Sequence, residues 1–574
     1  MIKIKEQLKE ILKNEKYFSI IIILISSIFI CIPLMSKNIN MTYDDGIQHI
    51  CRLMGTYQSL QEGQTAIMSN FCNGFGYSWN LFYSPVTAFA PLIFKLLGVS
   101  FTVCIKLFMF AVVFLSGYFM YVVTKKITKN NKIALVSSIL YIIAPYRLTD
   151  MYIRNALAEL TSFVFLPLVF LGLYNIFNEE KGKSTLVLTL GAVGLILTHT
   201  VIAMYTAIFA FIYVLVNIQK LKDKQVLKKL IINILLIFVI TSFFWAPLLQ
   251  HKMTTQYEVF KEGRMERTEV LVAYKLDFYR LFFTLNTDYM IYDIGIINIV
   301  GLLLTPLAIK KIKDKKYFKL YLFMLISGII SVIMTLKIFP FEHLPSILKM
   351  LQFSFRMLEF SSYFFAFVAA INIVTVFKKF EKIELAIILV IMMVVIFPYK
   401  SHIQTLENYD ESRLWPAVAV TQNTGRVHAG CASFEYLPTK AFDNMNYIVS
   451  RNNEAIVLTG NAQIEEQEKN GTNMNFKVKY VLEESEIELP YIYYLGYNVT
   501  LTTNGKTVKL DTFETDNGFI GIKVPTTEEG KITVKYTRTW VMNISSFISL
   551  VGTCLLIGTY IMEIKSIQLT KTRK

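Results

Sequence analysis

Long apolar segments, separated by short lysine-rich ones, are the feature that most limits how this chain can fold. The sequence has 574 residues, of which 54% are hydrophobic and 17% are charged. An apolar run of about 20 residues is long enough for an α-helix to cross a lipid bilayer. Such runs recur between residues 18 and 398 and once more at 541–562. This pattern predicts an all-α polytopic membrane bundle.

The net charge of +16 is explained by the position of the basic residues. Half of the 58 lysines and arginines lie in seven short segments that each flank an apolar run, namely 1–16, 125–132, 178–183, 219–229, 310–319, 378–382 and 565–574. The segments fall at alternate ends of successive runs, as cytoplasmic loops do under the positive-inside rule. The lysines are therefore expected to face the anionic lipids of the inner leaflet, with both termini cytoplasmic, and nucleic acid is not expected as a partner.

About twelve transmembrane helices fit this alternation. They are predicted at 18–35, 102–123, 133–145, 160–177, 185–198, 201–217, 230–249, 291–309, 319–336, 358–377, 383–398 and 541–562. Segment 84–98 is also apolar, but a full crossing there would place Lys125 and the lysines that follow it outside the cell. It is therefore predicted to be an interfacial or re-entrant helix.

A small all-β extracellular domain is predicted between the last two helices. Polar and apolar side chains alternate at 475–482, and further short strands are predicted at 519–524 and 531–536. The Asn-Gly pair that begins at Asn504 is typical of a tight β-hairpin. The predicted divisions are a cytoplasmic amphipathic N-terminus at 1–17, a multi-helix transmembrane domain at 18–398 with an outer loop at 36–100, an extracellular β-rich domain at 399–539, and a final helix with a basic cytoplasmic tail at 540–574.

Charged and polar side chains collect at the helix ends that this topology places outside. Asp45, His49 and Arg52 have the spacing i, i+4 and i+7, so one face of a helix would carry all three. Two further groups lie near the ends of later helices. The whole outward-facing set is Asp44, Asp45, His49, Arg52, Arg147, Asp150, Arg154, Glu159, His199, Arg356 and Glu359. Their convergence on one side predicts a polar functional site at the outer surface.

Each member of this set also has a purely structural interpretation. Asp45 could cap the helix that follows it, as aspartates at such positions usually do. His199 interrupts an apolar hairpin and could be a hydrogen-bonded structural histidine. The arginine and carboxylate groups could form interfacial salt bridges or anchor helix ends. The functional interpretation depends on several weak signals meeting on one face.

The chemistry that suits such a site is transfer from an anionic lipid-linked donor. A carboxylate just outside the bilayer can act as a general base on an acceptor hydroxyl, or hold a divalent ion. Arginines at the level of the lipid headgroups match phosphate geometry and stabilise it as a leaving group. The sequence contains no HExxH, GxSxG or Walker A motif, which counts against several soluble-enzyme classes.

Six segments, in order along the chain, carry a resemblance to a known family. They are Asp45-Gly46-Ile-Gln-His49 with Arg52, Gly74-Phe-Gly-Tyr-Ser-Trp-Asn-Leu-Phe-Tyr83-Ser-Pro85, Pro145-Tyr-Arg-Leu-Thr-Asp150, Arg154-Asn-Ala-Leu-Ala-Glu159, Gln352-Phe-Ser-Phe-Arg356 and Glu435-Tyr-Leu-Pro438. Together they resemble the bacterial membrane family called 6-pyruvoyl-tetrahydropterin synthase-related. Asp44 and Ser354 depart from the family pattern, so either Asp44 or Asp45 is open as the leading acid.

The resemblance implies an architecture similar to the glycosyltransferase C (GT-C) superfamily, which has many helices, an acidic residue in the first outer loop and polyprenyl-phosphate sugar donors. The segment Tyr494-Leu-Gly-Tyr, with Asn504-Gly-Lys506, Gly518-Phe and Tyr536, also resembles the terminal β-domain of the YfhO-like proteins implicated in teichoic-acid glycosylation.

We therefore expect an enzyme: a multi-pass glycosyltransferase of the bacterial plasma membrane. It would transfer a sugar from a polyprenyl-phosphate-linked donor to a cell-envelope glycan or lipid on the outer face, with membrane lipid as its surroundings. The expected catalytic residues are Asp45, Asp44 and His49, with Asp45 as the ligand of any divalent metal. The expected substrate-binding residues are Arg52, Tyr83, Arg147, Asp150, Arg154, Glu159, His199 and Arg356. Two alternatives stay open: a lipid-linked glycan flippase or exporter, and a non-catalytic envelope-assembly protein.

Overall fold

The structure is a computed structural model, and it describes residues 14–35, 45–178, 184–284, 290–377 and 434–572. Helices make up most of these parts. The α-helices are α1 (Glu15–Cys31), α2 (Gly46–Gln61), α3 (Trp79–Phe82), α4 (Val86–Phe89), α5 (Phe101–Thr128), α6 (Asn131–Ile142), α7 (Pro145–Tyr152), α8 (Leu157–Phe177), α9 (Ser184–Thr198), α10 (Thr200–Val216), α11 (Lys224–Ile240), α12 (Ser242–Thr254), α13 (Thr268–Ala273), α14 (Ile296–Leu303), α15 (Thr305–Ile312), α16 (Phe318–Thr335), α17 (Ser346–Lys349), α18 (Met357–Val376), α19 (Thr439–Asp443), α20 (Met445–Ser450) and α21 (Trp540–Thr572).

Six helical segments of the described residues are long and apolar enough to cross a membrane. They are Glu15–Met35, Phe101–Thr128, Leu157–Phe177, Phe318–Thr335, Ser354–Val376 and Trp540–Met562. Two pairs of helices, α6 with α7 and α11 with α12, would each make a further span broken by a bend of 41° or 62°. The chain is therefore a mostly helical, multi-span membrane protein with six to eight candidate spans in its described parts.

The sequence predicted about twelve spans over the whole chain, and the described residues contain six to eight candidates. The helices predicted at 185–198 and 201–217 are present, but as short apolar helices within α9 and α10. The span predicted at 291–309 is divided between α14 and α15, because Leu304 interrupts it just before a proline-containing helix start. Segment 84–98 contains a short apolar helix, Val86–Leu97. The helix predicted at 383–398 and most of the N-terminal segment 1–17 lie outside the described residues.

The bend between α6 and α7 follows from Pro145. Proline has no backbone N–H and disfavours a helical conformation in the residue before it. Ala144 accordingly has an extended ψ of 128°, and Pro145 begins α7. After α7 ends, Asn155 adopts a positive φ of 51° and turns the chain into α8. The charged residues of this broken stretch are thereby buried inside the bundle.

Helices α8 and α18 form the centre of the bundle. About 94% of the α8 span and 89% of the α18 span is buried, against 28% for the span in α21. α8 packs against α5 and α9, and α18 packs against α6 and α16. Both central helices carry a glutamate in the first turn, Glu159 and Glu359. Buried carboxylates therefore lie at the ends of the helices that begin near the cavity described below.

Two antiparallel sheets form the C-terminal β-region. Their orders are β1-β4-β8-β7 and β2-β3-β9-β5-β6. The predicted hairpin is confirmed, because Thr503 pairs with Lys506 and both Asn504 and Gly505 have the positive φ that a tight hairpin turn requires. The strands are β1 (Ile456–Thr459), β2 (Gln463–Asn470), β3 (Asn473–Val481), β4 (Ser485–Ile492), β5 (Tyr497–Thr503), β6 (Lys506–Leu510), β7 (Thr512–Glu514), β8 (Phe519–Val524) and β9 (Thr527–Tyr536).

The β-region and the segment before it are joined to the helical bundle by backbone hydrogen bonds. The N–H of Val259 donates to the carbonyl oxygen of Glu435 at 2.7 Å, and an isolated antiparallel bridge pairs Tyr257 with Pro438. On the other side, the N–H of Ile492 donates to the carbonyl oxygen of Phe75 at 3.0 Å. These contacts close a space between the helix ends and residues 434–450.

Candidate functional site

A cavity of about 1090 Å³ occupies this space. It lies where the start of α2, the junction of α9 and α10, the start of α18 and the segment 434–449 meet. The predicted site residues that line it are Asp45, His49, Tyr83, His199 and Arg356. The predicted residues that the structure puts elsewhere are Arg52, Arg147, Asp150, Arg154 and Glu159. Asp44 lies outside the described residues.

Asp45 immediately precedes α2 and is partly exposed to the cavity. Its side chain makes no capping hydrogen bond to this helix, so the helix-cap interpretation does not account for it. Its backbone N–H donates to the carbonyl oxygen of Arg154 at 3.1 Å, and the N–H of His49 donates to the carbonyl oxygen of Asp45 at 3.1 Å. The carboxylate is thus held at the cavity wall by the backbone on both sides of it.

His49 follows Asp45 by one helical turn and lines the same cavity. Its Nδ1 atom is buried and has no hydrogen-bond partner among the described residues. Burial, together with the charges of Arg52 and His199, lowers the pKa of His49 to about 3. The imidazole is therefore neutral at pH 7, and it can accept or donate a hydrogen bond without adding charge next to the carboxylate.

His199 lies in the break between α9 and α10. Its Nδ1 accepts a hydrogen bond from the N–H of Ile202 at 3.2 Å, so this ring caps the N-terminus of α10. Nδ1 of His199 therefore has the structural, hydrogen-bonded role that was one interpretation of this residue. Because Nδ1 is the acceptor, the proton of the neutral ring is on Nε2, which is a hydrogen-bond donor. Since His199 also lines the cavity, that donor can serve a ligand.

Arg356 immediately precedes the central helix α18, and its guanidinium lies at the cavity wall. Its Nε lies 3.1 Å from Glu159, and its Nη1 donates to the Leu351 carbonyl at 3.0 Å and to the Gln352 side chain at 2.6 Å. Its Nη2 group makes no hydrogen bond within the described part of the chain. The side chain is anchored on one edge and can contact an anion with the other.

Behind this arginine, Glu159 connects a fully buried ionic network. Its carboxylate accepts from Arg154 at 2.8 Å, from Arg356 at 3.1 Å and from the Tyr146 hydroxyl. Arg154 also contacts Asp150 at 2.6 Å. Two carboxylates therefore neutralise Arg154, which the sequence expectation assigned to the donor phosphate. In this network, Arg356 is the arginine that lines the cavity.

Arg52 supports the cavity wall from behind. It donates to the carbonyl oxygens of Tyr83 and Ser84 at 3.0 and 3.1 Å and to Asn80 at 3.1 Å. Its guanidinium lies 4.8 Å from the centre of the Tyr83 ring. Asp45, His49 and Arg52 were expected on one face of α2. In the structure, Asp45 and His49 line the cavity, while Arg52 holds the neighbouring loop.

Tyr83 is part of this supported wall and keeps its proton. Burial, followed by the charge of Asp45, raises the pKa of Tyr83 to about 12. The hydroxyl is therefore a neutral hydrogen-bonding group at physiological pH. Trp79, Phe82 and Tyr436 extend the aromatic surface, and the rings of Phe82 and Tyr436 are stacked with centroids 5.4 Å apart.

Arg147 is not close to the cavity lining. Its Nη2 donates to Ser116 at 3.1 Å, and its guanidinium lies 5.2 Å from the ring of Phe163. Of the three expected substrate-binding residues Arg147, Asp150 and Arg154, the last two are in contact at 2.6 Å. Helix α7 ends at Tyr152, before Arg154, so Arg154 is carried by the turn that follows rather than by the helix.

The outer wall contains charged residues that were not among the predicted site residues. Arg267 lies 3.7 Å from Glu435, and Arg264 contacts Glu258 at 2.6 Å. Arg264, Arg267 and Glu435 all line the cavity. Glu435 belongs to the Glu-Tyr-Leu-Pro segment noted in the sequence, which was the available signal. The two arginines lie in a charged loop between spans, where sequence alone gives no reason to distinguish them.

Much of the remaining lining is apolar and flexible. Met204, Met265, Met350 and Met445 contribute to it, together with Phe260 and Phe353. Methionine side chains adapt to irregular apolar ligands because they are unbranched and polarisable. The cavity therefore has a charged end and an adaptable apolar part.

The divalent metal expected at Asp45 stays a prediction. No group of three or more His, Cys, Asp or Glu side chains that could hold a metal occurs among the described residues. Divalent cations of the magnesium or calcium type need several oxygen ligands. No chemical step is therefore assigned to a metal at this site.

Two known proteins are similar to this chain. A protein of Lactococcus lactis subsp. cremoris (strain MG1363), named only as uncharacterized, is 24% identical over 567 residues, which cover 89% of this chain and 90% of that protein. The cryo-EM structure of arabinofuranosyltransferase AftD from Mycobacteria is similar with a TM-score of 0.39 at 13% identity. That match covers 67% of this chain but only 26% of the arabinofuranosyltransferase, so the chain spans about a quarter of its length.

The family of the chain is given by a third comparison. The model of the 6-pyruvoyl-tetrahydropterin synthase related domain, described as a membrane protein, matches residues 82–403. The match covers more than half of the chain and includes the cavity residues from Tyr83 to Arg356. The chain is a membrane protein that belongs to the 6-pyruvoyl-tetrahydropterin synthase related family.

Proposed function

We propose that the protein is a GT-C-type glycosyltransferase that acts at the outer face of the bacterial plasma membrane. The observation that carries the proposal is the composition of one cavity, in which Asp45, neutral His49 and Arg356 meet beside an aromatic wall. A general base, a neutral hydrogen-bonding group and a phosphate-binding guanidinium are the groups that sugar transfer from a phosphate-linked donor requires.

In the proposed reaction, Asp45 takes the proton from an acceptor hydroxyl. The acceptor oxygen then forms a bond to the anomeric carbon of the sugar, and the bond from that carbon to the donor phosphate oxygen breaks. The phosphate leaves with the bonding electron pair. His49, which is neutral at pH 7, orients the carboxylate or the acceptor by a hydrogen bond.

Arg356 stabilises the leaving phosphate. Its Nη2 group has no hydrogen bond to the described residues, and Glu159 holds the Nε of the same guanidinium at 3.1 Å. A guanidinium held in this way needs little reorganisation when negative charge develops on the leaving group. We assign the donor-phosphate role to Arg356 and not to Arg154, because two carboxylates already pair with Arg154.

The apolar part of the cavity supports a lipid-linked donor. Met204 lies in the apolar helix α10, Leu248 lies in α12 of a bent candidate span, and both line the cavity. A polyprenyl chain could contact these residues while its phosphate contacts Arg356. The aromatic surface of Trp79, Tyr83 and Tyr436 would accommodate the sugar, since pyranose faces pack against rings.

The β-region would help to position the acceptor, a cell-envelope glycan or lipid. We propose that it is extracellular, as the lysine pattern predicts, and that it corresponds to the terminal domain of the YfhO-like proteins. The segment 434–449 supports this arrangement because it lines the cavity and leads directly into β1.

The test is the composition of the envelope glycans, measured by mass spectrometry in a deletion strain. The strain is complemented with wild type, with Asp45→Asn, or with Asp223→Asn as the matched control. Asp223 caps α11 through the N–H of Gln225 and is remote from the cavity lining, and asparagine caps helices as well as aspartate does. All three proteins are quantified in the membrane fraction.

We expect a sugar modification to disappear on deletion and to return with wild type and Asp223→Asn, but not with Asp45→Asn. Full restoration by Asp45→Asn would contradict the catalytic role of this acid. An unchanged glycan profile on deletion would contradict the glycosyltransferase proposal as a whole. Asp44→Asn, tested in parallel, decides between the two neighbouring acids.

A further inference from the structure

Arg147 is a fully buried arginine with unsatisfied donors. Its Nη2 group donates to the hydroxyl of Ser116 at 3.1 Å and to the carbonyl oxygen of Val112 at 3.4 Å. Its Nε and Nη1 groups have no hydrogen-bond partner among the described residues. Burial of a guanidinium costs free energy unless its donors find partners. The side chain therefore requires acceptors beyond those that the described residues supply.

Glu359 has a buried hydrogen-bond acceptor without a donor among the described residues. It is fully buried in the first turn of α18, where one carboxylate oxygen accepts from Ser162. The other oxygen, Oε2, has no hydrogen-bond partner within the described chain. Asp150 is similar, since its Oδ1 contacts Arg154 at 2.6 Å while its buried Oδ2 has no partner there. Unsatisfied donors and unsatisfied acceptors thus occur in the same part of the bundle.

Three arginines and three carboxylates lie in this region. Their formal charges are equal and opposite only when Arg147 and Glu359 are included. Arg154 and Arg356 are paired with Asp150 and Glu159 by direct contacts. Arg147 and Glu359 are left over, one cation and one anion. The helices that carry them, α7 and α18, pack against each other. Ser162, which bonds to Glu359, directly precedes Phe163, whose ring lies 5.2 Å from the Arg147 guanidinium, and no ion pair of 4.0 Å or less joins Arg147 to a carboxylate in the described residues.

We propose that Arg147 and Glu359 form an ion pair bridged by ordered water, in a second polar site behind the cavity. Buried donors and acceptors that lack a protein partner are typically joined by buried water, which makes two to four hydrogen bonds. The hydroxyl of Tyr363, also buried without a partner among the described residues, adds a third polar group. Its ring lies 5.9 Å from that of Tyr141, which is one of the rings near the Arg147 guanidinium.

This site gives Arg147 a role that differs from donor-phosphate binding. Glu359 lies one helical turn after Arg356 on the same side of α18. Holding Glu359 through water therefore fixes the rotation of the helix that presents Arg356 to the cavity. Arg147 is a positioning residue, and the inference does not depend on which reaction the cavity performs.

A double-mutant cycle tests the ion pair in the full-length protein in lipid nanodiscs. Thermal unfolding is measured for wild type, Arg147→Met, Glu359→Gln and the double variant. We expect both single variants to lower Tm, because each leaves the other charge uncompensated. The decrease in Tm of the double variant should be smaller than the sum of the two single decreases. Additive losses would overturn the pairing. The cycle for Arg451 and Glu488, which are in direct contact at 3.0 Å in the β-region, serves as the positive control.

Hydroxyl-radical footprinting of wild type tests the water, and it needs no variant to fold. Radicals formed from bound water oxidise neighbouring side chains even in a protein interior. We expect Tyr363, whose hydroxyl has no partner among the described residues, to be oxidised more than Tyr205, which is similarly buried but bonds to the carbonyl oxygen of Leu348. Oxidation of both at the same low level would overturn a water-bridged pair.

Discussion

Nε of Arg356 lies 3.1 Å from Oε2 of Glu159, and this contact joins the first turns of the two most buried helices of the bundle. Glu159 also accepts from Arg154 at 2.8 Å, so its charge compensates two arginines at once. One carboxylate therefore keeps a cationic group at the cavity wall and stabilises the interior behind it.

Replacing Glu159 by glutamine should destabilise the protein strongly. The change leaves Arg356 without an ionic partner and Arg154 with only Asp150, and breaking a buried pair typically costs about 3–5 kcal/mol. Thermal unfolding in nanodiscs measures the loss. Glu466→Gln is the control, because its partner Lys477 is a solvent-exposed lysine of the β-region and no change in Tm is expected. Equal changes in Tm for Glu159→Gln and Glu466→Gln would contradict the central role of Glu159.

Replacing Arg52 by lysine should loosen the aromatic wall of the cavity. A lysine has one donor group where Arg52 uses Nε and Nη2 to reach Asn80, Tyr83 and Ser84 at once. Each hydrogen bond from a charged donor is worth about 1.5–3 kcal/mol. Hydrogen exchange measured by mass spectrometry should therefore increase in the peptide that covers 79–85. Lys95→Arg, a change outside the cavity lining, should leave that peptide unchanged.

The neutral state of His49 predicts how stability depends on pH. Burial lowers its pKa from 6.5 to about 3, so the folded state binds fewer protons than the unfolded state between these values. The stabilisation is complete above pH 6.5 and is lost as the pH falls toward 3, by up to about 1.4 kcal/mol per pH unit. We expect His49→Gln to lose less stability than wild type between pH 6.5 and 4.5, as measured by thermal unfolding. Identical pH profiles would show that the imidazole is solvated.

Lys469 should make the contact between the β-region and the outer loop sensitive to pH. Its Nζ donates to the carbonyl oxygens of Gly74 and Pro490 at 2.6 and 2.8 Å, and burial, followed by the charge of Arg451, lowers its pKa to about 7. An open contact would restore the ordinary value near 10.5, so the closed form binds fewer protons and rising pH favours it.

Hydrogen exchange of the loop at 71–77, corrected for intrinsic rates, should therefore slow as the pH rises from 7 to 9. Lys469→Met removes the titrating group and should abolish this dependence. Lys477→Met, on an exposed strand position, should retain it. The same pH dependence in Lys469→Met would assign the effect to another group.

The sequence indicated the membrane class, the β-region and part of the site for identifiable physical reasons. Helical spacing placed Asp45 and His49 on one side of α2, and local turn chemistry fixed the hairpin at Asn504. These signals act over a few residues. In the described residues, fewer helices than expected are long enough to cross a membrane, because apolar composition does not distinguish a full crossing from a shorter apolar helix such as α9.

The parts that sequence did not indicate depend on contacts between distant segments. Arg52 turns away from the cavity because its acceptors lie about 30 residues further along the chain, in the loop that ends at Ser84. Arg154 leaves the helical face of Arg147 because α7 ends at Tyr152. Arg267 reaches the cavity beside Glu435, a partner that belongs to the segment after the membrane domain. No local pattern encodes such pairs.

The backbone bond between Val259 and Glu435 has a consequence for biosynthesis. A ribosome releases the segment that covers the cavity only after most of the membrane helices, so the newly inserted bundle first presents an open half-site lined by methionines. A contact between segments so far apart in sequence forms late. The nascent chain can therefore meet lipid at this surface before its cover arrives.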